Sequence, residues 1–196
     1  MAEAPRRAKA MSVEDRRAML IDATIPLLIA HGRGVTTRQI AEAAGVAEGT
    51  IFRAFEDKNS LVTAAIRHHL DPEPLRRALR EIDPADGLEA TVRRVLALLR
   101  ERFSGVIRLM AVVAEEGRPK PPPVPERLEY AGIVADALRG EAARLNIPAE
   151  RVASFIRLVA FASSIPVFAG TDPFSEDELG ALVLYGLAGT RPSDPA

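Results

Sequence analysis

Thr36-Thr37-Arg38-Gln39-Ile40-Ala41-Glu42-Ala43-Ala44-Gly45-Val46-Ala47-Glu48-Gly49-Thr50-Ile51-Phe52-Arg53-Ala54-Phe55 is the stretch on which the reading of this chain turns. Thr36 and Gln39 have the spacing of a capping box, in which each side chain satisfies an amide the helix start leaves open, so a helix is expected from Thr37. Ile40, Ala41 and Ala44 form its inward face. Gly45 follows where a tight turn needs a left-handed backbone, which glycine adopts without steric cost. Val46 fills the angle between two helices, and Ile51 and Phe55, four apart, bury the second. Two short helices at 37–44 and 47–54 joined in this way have the form of a helix-turn-helix, whose second helix enters the DNA major groove. An ordinary helical hairpin shares the spacing. Two features favour DNA: Lys58 opens the next helix, where a positive helix end suits a phosphate, and Glu48, Gly49, Thr50 and Arg53 give the second helix a small, polar outer face.

Outward from this stretch the pattern stays helical, rich in Ala, Leu, Arg and Glu with apolar residues three and four apart. A first helix is expected from about Ser12 to His31, ending at Gly32, with Pro26 bending it. Asp57 is a good N-cap for a helix beginning near Lys58. Asp71-Pro72-Glu73-Pro74 breaks the chain ahead of a short helix at 74–81. Asp83-Pro84 reads as the opening of a long helix to about Phe103, Gly105 as a bend, and a further helix reaches Glu116. Gly117–Pro125, with five prolines, reads as a stiff surface loop. Helices over 126–144, 149–165 and 176–189 complete the chain, the last opened by a Ser175/Glu178 capping box.

Composition narrows the classes. The 196 residues carry 27% charged and 47% hydrophobic side chains, a globular balance. The absence of cysteine excludes disulfides, thiolate metal sites and cysteine nucleophiles. No apolar run is long enough to span a membrane, and the basic start (Arg6, Arg7, Lys9) leads into no apolar segment, so neither a membrane span nor a signal peptide is expected. The net charge of −1 does not argue against DNA, because a compact module can place its basic groups on one side. No phosphate loop or nucleophile elbow is present, and adjacent His68 and His69 diverge on a helix, so no catalytic, cofactor or metal site is expected.

Residues Gly34 to Ile66, with Thr50-Ile51-Phe52-Arg53-Ala54-Phe55 followed by Lys58 and Leu61, resemble the DNA-binding region of the TetR family of bacterial transcriptional regulators. Leu20 to Gly32 is similar to that family's first helix, and together the likeness covers about residues 13–70. The resemblance implies an all-α protein: a flexible basic arm (1–12), a three-helix DNA-binding domain (13–70, helix-turn-helix 36–55), and a helical effector-binding and dimerisation domain (71–196). It implies that Thr37 and Lys58 hold phosphates of a double-stranded operator, while Arg38, Glu48 and Thr50 face bases or nearby backbone, with Gly49 on the same surface. Three departures stand out. Phe52 replaces a usual phosphate-binding tyrosine, Ala54 a frequent histidine, and Ala47 a Ser or Thr N-cap, the last a loss of roughly 1 kcal/mol. Arg53 supplies part of the missing attraction.

For the second domain the expectation is a small hydrophobic effector held by Leu99, Arg102, Phe103, Arg108, Met110, Tyr130, Phe155 and Phe161, with plain core packing as the competing reading of each. A cytoplasmic repressor that releases a palindromic operator on effector binding is the function this implies. The alternatives are a helical enzyme, a ligand-binding protein without operator affinity, and an effector-independent regulator. A homodimer is expected through the helices near 149–165 and 176–189. In the last helix Leu179, Leu182, Val183, Gly186 and Leu187 form one apolar stripe and Ala181, Leu184, Tyr185 and Ala188 another, so one stripe needs a partner. Small residues such as Gly180 would allow close approach there.

Overall fold

A computed structural model describes residues 11–113, 124–169 and 172–188. The chain divides into two compact units, the first of residues 1–71 and 109–116, the second of residues 72–108 and 117–196. Among the described residues there are helices and no strands. The expected basic arm falls mostly outside the described residues, as do residues 117–123 of the proline-rich stretch.

The first unit holds α1 (Val13–His31), α2 (Thr37–Ala43), α3 (Gly49–Ala54) and α4 (Lys58–Leu70). Ser12 caps α1 by accepting the Asp15 amide, and Thr24, fully buried, satisfies its hydroxyl by donating to the Leu20 carbonyl at 2.6 Å. The helix is uninterrupted through Pro26. Pro26 and Asp22 both lie on the exposed side, where water can satisfy the carbonyl that the proline leaves without a donor. The capping box expected at Thr36/Gln39 is formed, and the N-cap expected at Asp57 is part of a second box closed by Ser60. Leu20, Leu28, Ile40, Ile51 and Leu61 meet in one core with no exposed surface, each burial contributing about 1.5–3 kcal/mol. Gly45 has φ +67°, the left-handed turn its position requires, and Val46 behind it donates to the Ala41 carbonyl and packs on this core.

The second unit holds α5 (Glu73–Arg80), the greater part of α6 (Gly87–Val113), α7 (Val124–Ala137), α8 (Ala149–Ser163), α9 (Pro166–Ala169) and α10 (Glu176–Ala188). Val95, Leu99, Val134, Ile156 and Val183 are at its centre. Three boundaries differ from the sequence expectation. Asp83 caps a single 3-10 turn at Pro84–Asp86, and the long helix begins only at Gly87, whose φ of +83° separates the two. Gly105 does not bend the chain: α6 is continuous, with Gly105 buried within it. A helical glycine costs about 1 kcal/mol, which the flanking apolar face outweighs. The helix expected at 126–144 ends at Ala137 and gives way to a 3-10 segment, Arg139–Arg144.

Candidate nucleic-acid interface

α3 presents Glu48, Gly49, Phe52 and Arg53 on one exposed side while Ile51 and Ala54 anchor the other. The spacing i, i+1, i+4, i+5 explains this, since those positions share a helix face. Thr50 lies half-buried at its edge, and Arg38 projects from the first turn of α2, exposed. The N-cap of α3 is Glu48, not Ala47, and no side chain caps it. Its carboxylate instead accepts the hydroxyl proton of Thr37, tying the start of α3 to the start of α2. The two side chains expected to meet DNA separately therefore meet each other. Glu48, an acceptor only, suits an exocyclic amine of cytosine or adenine and repels phosphate.

Lys58 is half-buried, and its Nζ donates to the Arg33 carbonyl at 3.2 Å and the Val35 carbonyl at 3.1 Å. Two of three ammonium donors thus hold the turn before α2, and one is left for a phosphate. Phe52 is 55% exposed, a large apolar side chain facing outward from an otherwise closed unit. The sequence reading missed Arg17. From α1 it donates to the Ala54 carbonyl and stacks 4.0 Å from the centre of the Phe55 ring, placing a cation on the C-terminal end of α3. Its one sequence signal is an arginine three residues before the first buried leucine.

The eight residues expected around an effector are only partly gathered. Leu99 and Tyr130 are buried in the second unit's core, and Phe103 packs against it. Phe103 also meets Phe161 edge-on, centroids 5.3 Å apart. Arg102 is half-buried nearby in sequence. The other three stand apart from that group. Met110 packs on the first unit's core, Arg108 is exposed and donates to the Ser104 carbonyl one turn back, and Phe155 is 39% exposed on α8. Helical phase is the reason for Arg108 and Phe155, which lie off the faces that carry Leu99 and Ile156 inward, whereas Met110 shares the Leu99 face but lies about three turns further along α6, in the first unit. A surface cleft of about 270 Å³ is lined by Arg93, Arg94, Leu96, Ala97, Glu176 and Asp177. Its Arg93–Asp177 pair at 2.9 Å makes it a charged crevice and not an apolar pocket.

The stripes of α10 also separate differently. Leu179, Val183 and Leu184 point inward, and Leu182 is 59% exposed. Gly180 is buried against the chain's own Arg93, whose Nη1 would lie 2.9 Å from an added Cβ, so this glycine serves α6 and not a partner. Among the described residues no group of His, Asp and Glu could hold a metal ion, and no helix is long and apolar enough to cross a membrane.

A capped short helix, a left-handed glycine turn and a second helix with a small outward face define a helix-turn-helix DNA-reading module. The first unit is similar to the DNA-binding region of the TetR family of bacterial transcriptional regulators. Residues 20–65 match the family described as bacterial regulatory proteins, tetR family. A regulator named YvkB from Bacillus subtilis, an HTH-type transcriptional regulator described as uncharacterized, is 47% identical over 51 residues, which are 26% of this chain and 27% of that protein. The HTH-type transcriptional regulator BetI of Paraburkholderia phytofirmans is 33% identical over 123 residues, 60% of this chain and 61% of the relative. The matches thus span less than two thirds of these relatives' lengths. The crystal structure of TetR transcriptional regulator SCO0520 from Streptomyces coelicolor superposes with a TM-score of 0.51 at 26% identity, covering 89% of this chain and 99% of that one. These relatives and this neighbour are transcriptional regulators.

Proposed function

We propose that this regulator is a cytoplasmic homodimeric repressor that grips a palindromic operator through α2 and α3 and releases it when a small hydrophobic effector enters the second unit. The observation that carries the DNA reading is the outward face of α3, where Glu48, Gly49, Phe52 and Arg53 stand on a core with no exposed leucine. Rigid backing of this kind holds base-reading groups in register. Arg38 reads an adjacent base edge, Lys58 approaches a phosphate with the one ammonium donor that the Arg33 and Val35 carbonyls leave it, and Thr37, whose hydroxyl proton goes to Glu48, approaches one with its backbone N–H at the start of α2.

Dimerisation is supported by the outward apolar side chains of α8 and α10, among them Leu158 and Leu182. Two copies would place recognition helices about 34–36 Å apart, one turn of DNA. α4 ends at Leu70, next to one division between the units, and α6 runs across another, so both are covalent routes by which the second unit could act on the first. An effector shifts the operator-competent population only by its differential affinity for the two states. Selection from a random duplex pool, followed by footprinting on the enriched sequence, tests the reading. A protected palindrome whose affinity falls steeply with salt is expected. No enrichment at low salt would overturn it.

A further inference from the structure

Tyr130 in α7 is 8% exposed, and its hydroxyl oxygen is buried without a hydrogen-bond partner. The residue belongs to the largely aliphatic core cluster that includes Leu99, Val134, Ile156 and Ala160. A buried hydroxyl left unpaired costs about 1–3 kcal/mol, and native interiors hold few of them. Phenylalanine would fill the same space without that cost, so packing does not account for the hydroxyl.

A second oddity lies in the same unit. The half-buried arginines Arg76, Arg93 and Arg100 of this unit each reach a carboxylate, Glu129, Asp177 and Glu176 respectively. Arg157 of α8 is also half-buried, and no carboxylate among the described residues pairs with it. Its recorded contact is the face of Phe103, 5.9 Å from the ring centre, at the outer limit of cation–π range. The charge of Arg157 acts on the Tyr130 hydroxyl, opposing in part the strong upward push that burial gives its pKa. Phe103 in turn meets Phe161 edge-on, and Phe161, 45% exposed, forms the outer wall.

Resting on the effector reading above, we propose that the effector is a small amphipathic acid, its apolar body lodged against Phe103, Phe161 and Leu99 and its carboxylate received by the Tyr130 hydroxyl and the Arg157 guanidinium. Among the described residues the site offers donors and a positive charge and no acceptor paired with them, so the ligand would bring the acceptor. One guanidinium and one hydroxyl in an apolar lining match a monoanion. An ammonium head would face Arg157 and be repelled.

The probes are octanoate, 1-octanol and octylammonium, which share a chain and differ in the head. Binding is measured by calorimetry and by melting of the full chain. Octanoate is expected to bind about tenfold or more tightly than the other two, and Arg157→Gln to erase the difference. Tyr130→Phe is the sharper variant. Free of ligand it should melt at or above the wild-type temperature, because it removes an unpaired hydroxyl, yet bind octanoate about tenfold more weakly. Equal affinity for all three heads overturns the proposal, and so does a Tyr130→Phe protein that melts well below wild type. If the three probes fail while other apolar compounds raise the melting temperature, the acid class is wrong and the effector reading stands. If no compound in a broad apolar panel moves it, both fall.

Discussion

In the first unit the exposed large apolar side chains among the described residues are Met11, Val13 and Phe52; in the second they include Phe155, Leu158, Phe161, Val167, Phe168 and Leu182. The first set is two residues at the start of α1 and one on the outward face of the recognition helix. The second is concentrated on α8, α9 and α10. A monomer seldom leaves so much apolar surface together in water. The first unit is therefore largely closed by its own residues, while the second carries the apolar surface that the proposed dimer would cover.

The largest expected effect attacks that contrast directly. Leu158→Glu combined with Leu182→Glu should give a monomer by light scattering, with operator affinity reduced on the order of 100-fold through the loss of two-site binding. Leu184→Glu, two residues from the second site, is the control that fails differently. Leu184 is buried, so a carboxylate there should unfold the unit and not merely split a dimer. A dimeric Leu158→Glu/Leu182→Glu protein at micromolar concentration would remove these helices from the interface.

The same contrast decides how much could be read from the sequence. The helix-turn-helix was legible because its signals are local: the Thr36/Gln39 box, the glycine that needs φ +67°, and Ile51 with Phe55 one turn apart. What escaped was tertiary. Arg17 reaches Ala54 across 37 positions, and Thr37 reaches Glu48, pairings that no periodicity announces. In the second unit the helices themselves were readable, but their rotation was not. Leu184 and Leu182 look alike in sequence, and only the phase of α10 against α6, fixed where Arg93 crosses Gly180, sends one inward and the other out. Met110 was misplaced for a different reason: α6 continues past Gly105, and its last residues pack on the first unit's core.

Smaller effects test the division of labour within the recognition surface. Lys58→Ala should flatten the salt dependence of operator binding by about one counterion and weaken binding to every sequence alike. Because its ammonium also holds two carbonyls, it should cost about 1–2 kcal/mol of stability in addition. Arg38→Ala should leave melting unchanged and relax preference at one operator position, since Arg38 is exposed. Identical salt slopes for wild type and Lys58→Ala would take Lys58 off the phosphates. Phe52→Tyr is expected to tighten binding by a factor of about 3–10, the worth of one added hydrogen bond. Unchanged affinity would mean that the outward ring of Phe52 meets bases and not backbone.

The smallest effect expected is an acid sensitivity at the start of α10, the helix that carries Leu182. The Ser175 backbone N–H and hydroxyl both donate to one carboxylate oxygen of Glu178, at 2.8 and 2.7 Å, and the Glu178 amide donates back to the hydroxyl at 3.2 Å. The backbone bond first, then the hydroxyl, holds the Glu178 carboxyl below the usual glutamate range. A folded pKa lower than the unfolded one means that the unfolded chain takes up the proton more readily. The stabilising contribution is therefore complete above the unfolded value of about 4.3 and is lost as pH falls through the folded value. Glu178→Gln keeps an acceptor in place and cannot titrate. Its melting temperature should sit slightly below wild type at neutral pH, and the two curves should converge in acid. Parallel curves down to pH of about 3 would show that the box holds α10 by its geometry alone, with no contribution from the charge.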